Sequence, residues 1–460
     1  MDRQNGAEAL AKFTWERQPE AEKLVHELVA DFLEKCPYAR RLAERMRDET
    51  GTRFVDWIDH IGRRNIDGWA DRLLQAGYIQ DNITPGLSRF VQPHGMFPPI
   101  MLWWDYGSFE VALKAESVAD FAAIHAIQND IGGAPLSLYR WLPACVCETT
   151  DTKLVVVERH GYLGAAAAPF DAQKAINRLH HLEEFRARRR DFGEAEEAGF
   201  ELAEGLIGSA IEDVGRDVAC DLFFAAEREY WQRRNRAAQF QKARQDRLGL
   251  GWANHDHHTY RCSRKHFSRL IGLWEKLGFQ LRERFYAGAE AGWGAQICEQ
   301  PNTGIITFND VDLSPDELMN DFSHEPLPER NHLGTVGLWC GLHGESFLQA
   351  GMHHLECQFD FDAIKQQMES DGGIKVMKPF TDYPYLRQAF TEGERWPVKE
   401  DRLQRLLAKA QITAEQAAQF RAQGAIGSHL ENLERNEGFK GFNQKGVSEI
   451  IAKTDPRRNL

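Results

Sequence analysis

Three short stretches of this sequence carry side chains that bind transition metals. They are Asp256-His257-His258-Thr259-Tyr260-Arg261, Gly351-Met352-His353-His354-Leu355 and His429-Leu430-Glu431-Asn432-Leu433-Glu434-Arg435. Together they offer two imidazoles and one carboxylate. Two His and one carboxylate on one side of a divalent ion leave positions open, the arrangement by which non-haem iron(II) enzymes hold a substrate beside dioxygen. Arg261 follows His257 by four residues. A guanidinium there is suited to clamp a substrate carboxylate near the ion.

Each stretch reads as part of a β-strand, and strand side chains alternate between faces. His255, His257 and Thr259 are therefore expected on one face, and Asp256, His258 and Tyr260 on the other. The same alternation allows only one of His353 and His354 to face a shared interior. Glu431 lies within a strand-like segment, where an interior carboxylate needs a metal or another cation to offset its desolvation. Arg261 has a plainer alternative, an ion pair with a core Asp or Glu.

The elements around these residues suggest an α+β fold. Residues 7–50 read as helix, with Leu24, Val25, Leu28, Val29 and Phe32 at helical spacing and a break at Pro37. Phe54 to Ile61 reads as a strand, and 66–76 as a helix stopped at Gly77. Lys153 to Glu158 is a buried strand. Residues 171–248 are helical and densely charged, and a solvated face is the default reading of Arg188-Arg189-Arg190. After Gly249-Leu250-Gly251 the earlier pattern returns. Asp59-His60, Trp69 and Gly77-Tyr78 correspond to Asp256-His257, Trp274 and Gly278-Phe279, and both copies carry His-x-x-x-Arg, as His60 to Arg64 and His257 to Arg261. This is an internal repeat. A further unit begins near Ser346, with a strand expected over 347–355, a helix over 361–369, helix over 400–423 and a last strand over 424–433. The divisions are 1–50 (N-terminal helices), 51–165 (a βαβββ-like module), 166–250 (a helical segment) and 251–460 (the metal-binding domain).

Bulk properties restrict the function class. The 460 residues are 42% hydrophobic and 27% charged, ordinary for a globular protein. A net charge of -13 gives a nucleic-acid role no electrostatic support. No apolar run approaches a membrane span, and Met1 to Gly6 shows no secretory leader. The eight cysteines are scattered without paired spacing, which points to a reduced, cytoplasmic protein. Cys145 and Cys147 read as small core residues on one strand.

The C-terminal half, roughly 253–446, resembles the iron(II)-dependent 2-oxoadipate dioxygenase/decarboxylase family (hydroxyglutarate synthase), which is related to the vicinal oxygen chelate fold. The resemblance rests on Asp256 to Arg261, Leu277-Gly278-Phe279, Glu299-Gln300-Pro301 and the strand from Ile305 to Leu313. It continues through His353-His354-Leu355, Phe359 to Ile364, Leu386-Arg387-Gln388, Glu431 to Arg435 and Gln444-Lys445-Gly446. It implies tandem βαβββ modules, Fe(II) or another divalent metal as cofactor, and His257, His354 and Glu431 as its ligands. Spacing to Asp360 favours His353 as the second His, whereas the following Leu355 favours His354, which the resemblance selects. It further implies Arg261 on the substrate carboxylate, Gln388 as a polar pocket residue, and oxidative decarboxylation of a 2-oxo acid with dioxygen.

Three other readings stay open. The same fold serves isomerases, lyases and extradiol-type dioxygenases with other metals. A non-enzymatic small-molecule-binding protein would leave the three ligands apart. His60, Arg64, His94 and Glu158 could form a second site, or His60 could join His257 between the repeats, although a degenerate N-terminal module is the simpler expectation.

Overall fold

Each repeated Asp-His segment opens a strand–helix–strand unit, and four such units make two sheets. The computed structural model describes residues 14–66, 68–84, 86–104, 107–164, 166–167, 169–443 and 455–458. The expected helix over 7–13, the leader reading at Met1 to Gly6 and the matched Gln444-Lys445-Gly446 lie outside them. The first sheet holds β1 (Ile58–Arg64), β2 (Ile79–Thr84), β3 (Leu87–Val91), β4 (Ile100–Trp103), β5 (Phe109–Lys114), β6 (Tyr139–Cys147) and β7 (Thr152–Arg159). Their order is β2-β3-β4-β1-β5-β7-β6. The second holds β8 (His255–Arg261), β9 (Gln280–Tyr286), β10 (Trp293–Gln300), β11 (Ile305–Asp312), β12 (His354–Gln358), β13 (Thr381–Tyr383), β14 (Leu386–Phe390), β15 (Glu394–Trp396) and β16 (Ala425–Arg435). Its order is β13-β14-β16-β12-β8-β11-β10-β9, with β15 on β16.

Within each sheet, two units meet through an antiparallel pair of their first strands, β1 with β5 and β8 with β12. Each first strand also pairs in parallel with the last strand of its own unit. Parallel pairing requires a crossover, and one helix per unit provides it: Trp69–Gln75, Val118–Ile124, Phe267–Lys276 and Phe361–Ser370. The fold is α+β, with tandem βαβββ modules and a helical connecting segment. The region read as one module, 51–165, holds one complete unit and a second that is a strand short. The second was hidden because β5 carries no Asp-His signature.

Two expected strands are shorter than the sequence suggested. Phe54–Trp57 is a single 3₁₀ turn. Phe54 and Trp57 are both buried, and only a turn brings residues three apart to one side. The strand expected over 347–355 begins at His354, because the carbonyls before it have other partners. Arg188 donates to Phe347 O at 2.6 Å and Arg190 to Leu348 O at 3.4 Å. Both arginines are buried on Glu227, so they form an internal strut, and only Arg189 between them stays on the solvated face. Cys145 and Cys147 are half-buried on β6, and all eight cysteines are free thiols.

The connecting helices Ala172–Ala187, Glu196–Val214, Arg216–Gln232 and Arg236–Asp246 share a core with one face of the second sheet. Phe223 is its hub, with ring contacts to Phe185, Phe224, Trp274 and Phe347 at 5.4–5.9 Å. Tyr260, Leu355 and Leu430 join the same core. The alternate residues of those strands are thereby turned to the sheet's other face. Among the described residues, no helix is long and apolar enough to cross a membrane.

Phe223→Ala should destabilise the protein by about 3–5 kcal/mol through the cavity it leaves, with a cooperative shift in the denaturant midpoint. A change under about 1 kcal/mol would mean that the helical segment docks independently of this ring.

Candidate metal centre

Strand register assembles the site. His257 on β8 lies opposite Glu356 on β12, and Glu356 lies opposite Glu431 on β16. Three adjacent strands therefore set His257, Glu356 and Glu431 in one row, with donor atoms within 4.8 Å of one another. His354, also on β12, joins from the side. Its Nε2 lies 2.7 Å from Glu356 Oε1 and 3.7 Å from Glu431 Oε2. The structure thus brings together His257, His354 and Glu431, and adds Glu356. Glu356 is two residues beyond His354, so strand alternation placed it on the same face, a signal present in the sequence and not used. His353 turns aside, donating Nδ1–H to Gly427 O at 2.9 Å and packing on Trp339.

The polar frame fixes how these groups point. Asp256 accepts from His257 Nδ1 at 2.8 Å and from Arg435 at 2.9 and 3.1 Å. Arg435 holds Asp256 well below the usual carboxylate range against the opposing effect of burial. With Nδ1–H committed, His257 turns its Nε2 lone pair toward Glu356 Oε1, 3.0 Å away. The alternation expected for His255 fails. A register shift between Glu356 and Cys357 moves it off the face of His257, and its ring packs against His258 at 5.1 Å.

These residues fit a divalent ion. An imidazole lone pair facing a carboxylate oxygen requires a proton or a cation between them. Burial lowers His257 to about 4, so the ring is a neutral donor, and it also holds His354 well below its ordinary value. Burial and the neighbouring Glu431 raise Glu356 far above the carboxylate range, and burial lifts Glu431 to about 7. Glu356 Oε2 is buried without a hydrogen-bond partner. Two buried carboxylates with two neutral imidazoles form a nitrogen–oxygen donor set suited to Fe(II), Mn(II), Ni(II) or Zn(II).

The row opens into a cavity of about 60 Å³, walled by Phe285, Trp293, Phe308, Phe380, Phe390 and Phe442. Seven strands contribute to its lining, so the sheet curls around it. Arg261 also faces in, 3.6 Å from Asp310 Oδ2 on the paired strand. That distance allows charge attraction but not a hydrogen bond. Burial raises Asp310 to about 7, which weakens its hold on the guanidinium. Gln388 lines the cavity, but its amide is spent on Glu431 Oε1 at 2.9 Å.

The first sheet repeats the frame without the donors. Asp59 accepts from His60 Nδ1 at 2.7 Å and from Arg159 at 2.8 and 2.9 Å, as Asp256 does from His257 and Arg435. His60, however, lies opposite Ala112, and Ala112 opposite Val155. Ala112 and Val155 thus hold the places of Glu356 and Glu431. Glu158 is not the counterpart of Glu431, since it points to His160, Arg140 and the Val118 amide. His94 is exposed, and His60 and His257 line different cavities.

No protein-family profile matches the chain, and no curated protein does. Solved structures similar to it include methylmalonyl-CoA epimerase from Mycobacterium tuberculosis, 13% identical over 40% of this chain and 89% of that one, with a TM-score of 0.24. A glyoxalase superfamily protein from Ralstonia eutropha is 10% identical over 48% and 84%, with a TM-score of 0.33. A variant of 4-hydroxymandelate synthase from Streptomyces coelicolor is 11% identical over 88% and 99%, with a TM-score of 0.27.

Two outcomes are expected. Asp256→Asn should weaken divalent-metal affinity by about 10–100-fold, measured by competition with a chromophoric chelator; unchanged affinity would remove Asp256 from the site. Burial alone would lower His60, but hydrogen bonds to Asp59 and Glu110 outweigh it and hold the ring at about 9. Its stabilising effect is therefore complete below its unfolded value near 6.5 and lost as pH rises through 9. Between those limits, His60→Gln should remove up to about 3 kcal/mol of the wild type's loss in unfolding free energy. Equal pH slopes for both proteins would contradict this.

Proposed function

We propose that this protein is a non-haem Fe(II)-dependent dioxygenase/decarboxylase acting on a 2-oxo acid or a similar small carboxylate. The reading rests on the row of His257, Glu356 and Glu431, flanked by His354 and opening into a cavity that also receives Arg261. His257, His354 and Glu431 would hold the metal, with Glu356 as a fourth donor. Iron, when bound, supplies a Lewis acid able to take the carboxylate and keto oxygens of a 2-oxo acid and to activate dioxygen.

The remaining roles belong to the chain's own side chains. Asp256 keeps the proton on His257 Nδ1, so Nε2 stays free to donate to the metal. Gln388 holds one oxygen of Glu431 and leaves the other directed at the row. The aromatic wall excludes water, which strengthens each charge interaction inside. Arg261, loosely countered by Asp310, orients the substrate carboxylate.

Glu356 also favours a second reading. With Glu356 as a fourth donor beside His257, His354 and Glu431, a bound metal would have room for a chelating substrate but not also for dioxygen unless Glu356 withdrew. A Glu356 that withdraws to carry a proton suits an isomerase or lyase instead.

Protein reconstituted anaerobically with Fe(II) should retain close to one metal per chain, and His257→Ala should lose it. Oxygen uptake with 2-oxo acids of increasing chain length, matched by carbon dioxide release, is the expected result. Turnover under nitrogen would select the isomerase or lyase reading, and no retained metal would end both. Arg261→Gln should raise KM for the carboxylate at least about tenfold; an unchanged KM would remove Arg261 from substrate binding.

A further inference from the structure

Asp256 borders a second cavity as well as holding His257. This cleft, of about 340 Å³, lies between the two sheets and the helix Arg216–Gln232. Its walls include Lys114 from β5, Arg228 from that helix, His255 from β8 and Thr303 from the turn between β10 and β11.

The charge pattern of its lining is unbalanced. Five carboxylates border the cleft, and each already has a cation or imidazole. Asp56 is held by Arg53, Asp59 by Arg159, Glu116 by Lys242, Asp221 by His160 and Asp256 by Arg435. Two of the bordering cations have no such match. Among the described residues, the Lys114 side chain makes no ion pair or hydrogen bond, and it borders the cleft. The Arg228 side chain meets the ring of His258 at 3.3 Å and, among the described residues, forms no ion pair with a carboxylate. Lys114 and Arg228 line the same cleft. A chain with a net charge of -13 has carboxylates to spare, yet among the described residues none forms an ion pair with either cation.

We propose that this cleft binds a small dianion, a dicarboxylate or a phosphate monoester, between Lys114 and Arg228 and apart from the metal centre. Lys114 offers a point charge and Arg228 a planar fork, a pair that fits two separated anionic oxygens. Thr303 adds a hydroxyl within the same walls. The proposal stands on the cleft alone and does not require a bound metal.

Calorimetric titration of the full chain with inorganic phosphate and with glutarate tests it. At least one probe should bind to the wild type, bind about tenfold or more weakly to Lys114→Gln, and bind normally to Arg261→Gln, which alters the metal cavity and not the cleft. Tighter phosphate binding would assign a phosphate monoester and tighter glutarate binding a dicarboxylate. Binding that survives Lys114→Gln, or is lost in Arg261→Gln instead, would overturn the proposal, as would absence of binding at millimolar concentration. A second measurement needs no variant. The bound probe should slow acylation of Lys114 in the wild-type protein about tenfold, read by peptide mass spectrometry, and an unaltered rate would also overturn the proposal.

Discussion

The buried carboxylate of Asp256 ties three strands of the second sheet together. It accepts from Arg435 on β16, from His257 on its own strand β8 and from Gln358 on β12. Removing a carboxylate and a guanidinium from water is costly, and only close pairing with further hydrogen bonds offsets it. Asp256 and Arg435 are close-paired in this way, and the arginine also donates to two loop carbonyls. The register of β8, β12 and β16 and the tautomer of His257 follow from this one anchor. Shifting any of the three strands by one residue would turn its donor to the helical face.

The first sheet separates that anchor from the chemistry it serves. Asp59, His60 and Arg159 repeat the arrangement of Asp256, His257 and Arg435 with similar spacing. Ala112 and Val155 replace the two carboxylates there. The frame is therefore a device for holding two units of a sheet in register, and donor residues are a local addition to it. In the second sheet the addition brings two buried carboxylates against each other. A cation or a shared proton must resolve that conflict, whereas the first sheet has none to resolve.

Periodicity made most of the architecture readable. The Asp-His repeat, the crossover helices near 66–76 and 361–369 and the long last strand followed from patterns of three to four or of two residues, whereas the crossover helix Val118–Ile124 did not. The extra unit beginning at β5 was not legible, because its core-facing residues Val111 and Leu113 resemble any buried strand. At the site, His257, His354 and Glu431 were readable as donor types, and their meeting depended on pairings between distant strands. Glu356 was missed although alternation pointed to it. The role of Gln388 changed because an amide beside a buried carboxylate is captured by it. The short β12 was misjudged at its start, since Arg188 and Arg190, distant in sequence, satisfy the carbonyls that a strand partner would otherwise take.

The donors of the site are spread widely along the chain. β8 supplies His257, whereas Glu431 and the anchoring Arg435 come from β16, the last strand of the second sheet. A chain still emerging from the ribosome contains the histidines long before it contains the carboxylate and arginine that complete the row. Completion of the row therefore waits on β16, and a chain cut before that strand would keep His257, His354 and Glu356 but lack both Glu431 and the arginine that anchors Asp256.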